Sequence, residues 1–315
     1  LDEITTIIKV NKAIFFFNEK KLQNQFDIKG NIFTTPFIFE LKTKNDLFIE
    51  KKFLFKTKTL NLEIFNNHII KKNNSTIGNN IITFLNSSIE SEYEFTDKKI
   101  IFTSKNSRIH SSKINYDGEL SINPFDLDLH VSLNSNKISK LFNLNSILVD
   151  FLKSGLLFNE NISLNTSITV NSNRQDDFFD NAKIYLSVLN GKINFDNTKF
   201  VNNEIGSLKL NDSSLFLQDN KLILNTTLFF DVKNSDRLFS FLNTSKSLRK
   251  NIKKIIVNID YDFVNNKIQI NNVKIDNNET NDQFMNIIDG FNDNNLNNLV
   301  KTRRLLNKLL SAYEG

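Results

Sequence analysis

Apolar and polar residues alternate with a period of two over much of the chain, which is the signature of half-buried β-strands. Residues 125–133 run Phe-Asp-Leu-Asp-Leu-His-Val-Ser-Leu, with every odd position apolar. Leu127, Leu129 and Val131 therefore share a face. Ile162, Leu164, Ile168 and Val170 repeat the pattern, as do Ile184, Leu186 and Val188. After Asn190-Gly191 come Ile193 and Phe195. Asn-Gly between alternating segments is the strongest short-range hairpin signal. Leu222, Leu224, Leu228 and Phe230 lie on a long strand, and Ile255, Val257, Ile259, Tyr261 and Phe263 on another, followed by Ile268 and Ile270. Residues 33–41, 47–55, 57–65, 81–85, 93–96 and 99–103 read as further strands with short connections.

Three stretches switch to helical spacing. They are 137–157, 236–250 and a C-terminal tail over 279–312, the last with an expected break at Asp289-Gly290. Asn134-Ser135-Asn136-Lys137-Ile138 matches Asn234-Ser235-Asp236-Arg237-Leu238 at an offset of one hundred residues. Each follows an alternating strand and opens a helix with capping residues. The pattern predicts a mainly β chain with interspersed helices, an elongated curled antiparallel sheet with amphipathic helices packed on or capping it. No linker composition divides residues 1–315, so one domain is expected.

Composition narrows the chemistry. The 315 residues contain no Cys and three His, which excludes zinc ribbons, disulfide frameworks and thiol nucleophiles. Eight glycines do not supply a phosphate-binding loop. The net charge of +5 falls short of a nucleic-acid signature, and the aromatic residues sit in the apolar phase rather than interleaved with basic ones, so no nucleic-acid partner is expected. Asn is in large excess at 52 residues. Since Asn tolerates left-handed backbone, Asn66-Asn67, Asn79-Asn80, Asn202-Asn203 and Asn265-Asn266 read as turns. No apolar run approaches membrane-helix length; Ala13-Ile14-Phe15-Phe16-Phe17 is a typical short one.

Catalytic candidates are sparse. Asp126, Asp128 and His130 share one strand face and could ligate a metal, but no further His or carboxylate motif supports a site and a solvated strand face is the preferred account. Asp176, Asp177 and Asp180 cluster near a turn, where Asp is common for backbone reasons. His68 and His110 read as isolated surface residues. Lys246, Arg249, Lys250, Lys253 and Lys254, and Lys301, Arg303, Arg304 and Lys308, form two basic runs suited to anionic head groups or to plain solvation. Neither a catalytic residue nor a cofactor is expected.

Three segments carry a family resemblance. They are Gly118-Glu119-Leu120-Ser121-Ile122-Asn123-Pro124-Phe125-Asp126-Leu127, Leu189-Asn190-Gly191-Lys192-Ile193-Asn194-Phe195, and Asn271-Asn272-Val273-Lys274-Ile275-Asp276 with the tail that follows. Over residues 117–315 these resemble the strand-entry and turn-strand motifs of the AsmA-like proteins of Gram-negative bacteria, relatives of TamB. The resemblance implies a U-folded sheet, or β-taco, with an apolar groove. It also implies anchoring in the inner membrane by an N-terminal helix, projection into the periplasm, and phospholipid transport toward the outer membrane with other envelope proteins as partners. This chain lacks such a helix, which fits a truncated product. On that reading the groove is lined by Leu127, Leu129, Val131, Ile162, Leu164, Ile168, Ile184, Leu186, Val188, Leu222, Leu224, Leu228, Ile255, Val257 and Ile259. The alternative is a structural or adhesive surface β-protein whose core is filled and holds no ligand.

Overall fold

The computed structural model describes residues 8–32, 35–46, 48–57, 61–71, 75–84, 87–96, 98–109, 112–134, 156–172, 178–218, 221–263, 265, 267–276, 278–279, 282–292 and 299–312. The chain is mainly β and antiparallel, with a few short helices. It forms two compact units, Leu1–Leu133 and Asn134–Gly315.

The first unit is a meander in which each strand pairs antiparallel with the next. Its strands are β1 (Ile8–Asn18), β2 (Gln23–Ile32), β3 (Thr35–Asn45), β4 (Ile49–Thr57), β5 (Leu62–Ile70), β6 (Thr76–Phe84), β7 (Ser87–Phe95), β8 (Lys99–Ile109), β9 (Ser112–Ser121) and β10 (Asp126–Asn134). Because side chains alternate strictly between faces, the register builds a continuous apolar row through Ile28, Phe39, Phe55, Ile64, Ile82 and Ile89. Phe37 stacks on Phe55 and Phe39 on Phe53, with centroids 5.7 and 6.3 Å apart. The opposite face carries ion pairs such as Lys52–Glu50 at 2.8 Å and Lys56–Glu63 at 3.0 Å. Among the described apolar side chains of this unit only Phe37, Ile114 and Leu133 are buried, so no second layer of described residues covers the apolar face.

The two Asn pairs expected to turn the chain here do not. Asn66 pairs across strands with Asn80, and Asn67 with Asn79, in the middles of β5 and β6. Tertiary partners override the turn preference: Asn66 is buried and donates from Nδ2 to the Tyr93 hydroxyl at 2.9 Å. His68 is correspondingly a strand residue and not part of a turn.

The second unit contains β11 (Ser163–Asn171), β12 (Asn181–Leu189), β13 (Lys192–Asn194), β14 (Lys199–Asn202), β15 (Gly206–Gln218), β16 (Lys221–Val232), β17 (Lys254–Asp262), β18 (Lys267–Ile275) and β19 (Asn278–Glu279). Helices α1 (Ser235–Phe241), α2 (Asp282–Asn292) and α3 (Leu299–Ala312) complete it. Asn190 and Gly191 take positive φ, 51° and 69°, as the hairpin signal requires. Asn202 also turns the chain, its Oδ1 accepting from the Ile205 amide at 2.8 Å.

Two helix boundaries differ from the expected ones. Helix α1 is seven residues long, against fifteen expected, because Asn243 adopts φ 60° and the Thr244 amide bonds back to Phe239 O at 2.9 Å, a Schellman-type stop. The tail does not break at Gly290, which lies inside α2 with open space around it. Most of the helix expected over 137–157, together with His110, Asp176, Asp177 and Asn266, lies outside the described residues.

Candidate functional site

The site is built where β15–β18 of the second unit meet its helices. The apolar phase of four strands falls on one face: Leu208 opposite Phe230, Phe230 opposite Ile255, and Ile255 opposite Ile275. A parallel row joins Leu210, Leu228, Val257 and Val273. These eight positions make a floor with no polar side chain.

Side-chain hydrogen bonds fix the helices above that floor. Asn234 caps α1, its Oδ1 accepting from the Arg237 amide at 3.0 Å, and Leu238 and Phe239 turn inward. Asn292, the last residue of α2, treats β18 as a neighbouring strand would. Its Oδ1 accepts from Ile270 N at 2.7 Å and its Nδ2 donates to Ile270 O at 3.1 Å. Helix α3 is tied to the turn after α1, where the Thr244 hydroxyl donates to Asn307 Oδ1 at 2.6 Å. Leu309 and Leu310 of α3 are buried against the sheet.

The two layers do not close completely. Leu228, Phe230, Ile255 and Val257 lie beneath helices yet remain only half-buried, because they border a cavity of about 400 Å³. Leu238, Phe241 and Leu242 wall it from α1, and Leu306, Leu309 and Leu310 from α3. Phe178 stands at one side, 4.5 Å centroid to centroid from Phe241. Every described side chain lining this space is apolar.

The expected groove residues divide three ways. Leu228, Ile255, Val257 and Ile259 line the cavity. Leu164, Ile184, Leu186, Val188, Leu222 and Leu224 lie on the same phase of the unit's strands but are buried, Leu222 completely at 0% exposure, so the surface is filled there. Ile162 and Ile168 are half-buried, as are Leu127, Leu129 and Val131 on the apolar face of the first unit. Leu208, Ile268, Ile270, Val273 and Ile275 add wall that the groove assignment left out.

The described polar candidates do not come together in one cluster. His130 Nδ1 lies 3.6 Å from Asp128 Oδ1, both well exposed, and the described residues hold no group of three or more metal-ligating side chains. Asp180 spends its carboxylate on the Asn203 amide at 2.7 Å, which is turn work. Arg249 is committed to Thr244 O at 3.2 Å, and Lys254 lies over the Phe229 ring at 5.1 Å, whereas Arg304 and Lys308 are exposed. His68 is not isolated: its Nδ1–H donates to Asn66 Oδ1 at 3.1 Å, since a carbonyl oxygen can only accept. Burial, and then the Lys51 ammonium, hold its imidazole below the ordinary value. No described helix is long and apolar enough to cross a membrane.

Comparison with family models, curated proteins and solved structures gave no match.

Proposed function

We propose that this protein is a non-enzymatic lipid-binding protein, with the cavity of the second unit holding the hydrocarbon tail of its ligand. The observation that carries the reading is an opening of about 400 Å³ whose described lining is apolar throughout. Ligand sites of similar volume normally include a few polar groups that orient the ligand; a tail needs none and gains about 0.8 kcal/mol per buried methylene. Water is a poor occupant, because it requires two to four polar partners. A phospholipid cargo, a periplasmic location, inner-membrane anchoring and envelope partners rest on the AsmA-like resemblance alone and form part of the same proposal.

Native mass spectrometry of the purified chain, with and without Val257→Phe, tests it. The account expects co-purifying lipid on the parent chain, and on the filled variant less lipid with no loss of thermal stability. A parent chain that carries and takes up no lipid would favour the second reading, a filled-core structural or adhesive protein, which the complete burial of Leu222 and Val170 supports.

A further inference from the structure

The first unit places one cation where its other strand lysines do not go. In the paired registers of β2 to β10, Lys51 is the only charged residue on the apolar face. Lysines of β3 and β4 on the opposite face have carboxylate partners: Lys42 with Glu40, Lys52 with Glu50, and Lys56 with Glu63. Lys51 has no such partner among the described residues. Its direct cross-strand neighbour is His68. Two potential cations set side by side lower stability unless something anionic lies between them.

Around the pair the face is polar and then abruptly greasy. His68 Nδ1 is occupied by Asn66 Oδ1, which leaves Nε2 as the nitrogen that titrates. Asn66 is held in turn by Tyr93. Two residues along β4 from Lys51, on the same face, lies Phe53, stacked on Phe39. The apolar row through Phe39, Phe55 and Ile64 begins there.

We infer that Lys51 and His68 form an anion subsite that takes the phosphate or carboxylate head of an amphiphile whose chain lies along Phe53, Phe39 and Phe55. This stands independently of the cavity in the second unit. The bland account is that the Lys51 stem merely covers Phe53 while its ammonium reaches water.

Histidine ring NMR separates the two, because the chain has only His68, His110 and His130. Signals are assigned with His110→Gln and His130→Gln. The probe is dodecyl phosphate below its micelle concentration. The inference expects the His68 titration to move to higher pH with the His130 signal unmoved. Lys51→Met should weaken that response about tenfold, and Lys51→Arg should retain it. Inorganic phosphate acting equally at the same concentration would overturn the amphiphile. Dodecyl maltoside acting equally would overturn the anion. An unchanged response in folded Lys51→Met, or no response in the parent chain, would overturn the subsite.

Discussion

The ring of Tyr93 lies across Gly78, so close that a Cβ at residue 78 would sit 2.6 Å from both Cζ and the hydroxyl oxygen. Tyr93 thereby crosses one whole strand to reach Asn66 on the next. The device recurs: Phe37 lies over Gly30 and Phe102 over Gly118, each directly cross-strand. An aromatic neighbour covers backbone that glycine would leave exposed within a sheet.

Gly78→Ala should therefore displace the Tyr93 ring and strain β6, at a cost of about 1–3 kcal/mol. Tyr93→Phe should cost about 1 kcal/mol, the net worth of its hydrogen bond. The two effects should not add, because both act on one contact. Urea denaturation of the single and double variants measures this.

Asn292→Ala should leave the Ile270 amide and carbonyl without their side-chain partner and loosen α2 from β18. The expected loss is about 1–3 kcal/mol, with faster hydrogen exchange at Ile270 than in the parent chain. Unchanged exchange there would show that packing alone holds α2.

His68 makes stability depend on pH. Its imidazole titrates below 6.5 in the folded chain, so near and below that pH the unfolded chain binds more protons. Stability should therefore be full above about pH 6.5 and fall as pH drops toward the lower folded value. His68→Gln should flatten that part of the profile. Chemical denaturation at a series of pH values checks the sign.

The strand pattern was largely legible because alternation depends on burial alone: β10, β11, β12, β16 and β17 follow their apolar phases closely. β15 escaped for a physical reason. Its register shifts between Asn211 and Ser214, with Asp212 at φ 51°, so the apolar phase passes from Leu208 and Leu210 to Leu215 and Leu217. A period of two cannot be followed through such a bulge. β1 escaped because Ile14, Phe15, Phe16 and Phe17 are apolar on both faces, and Phe15 is 68% exposed. The buried role of Asn66 was invisible, because its partner Tyr93, 27 residues away, comes from tertiary pairing and a turn-former reads the same in isolation. The cavity was half legible. Leu228, Ile255, Val257 and Ile259 stood out by phase, but which stretches of that surface the helices fill depends on packing that no spacing encodes.

The chain has no Trp, so Phe230→Trp would place a single fluorophore in the cavity wall. Brominated stearate should quench its emission saturably, and Val257→Phe added to the reporter should abolish that quenching. A folded Phe230→Trp chain whose emission brominated stearate leaves untouched would contradict the account.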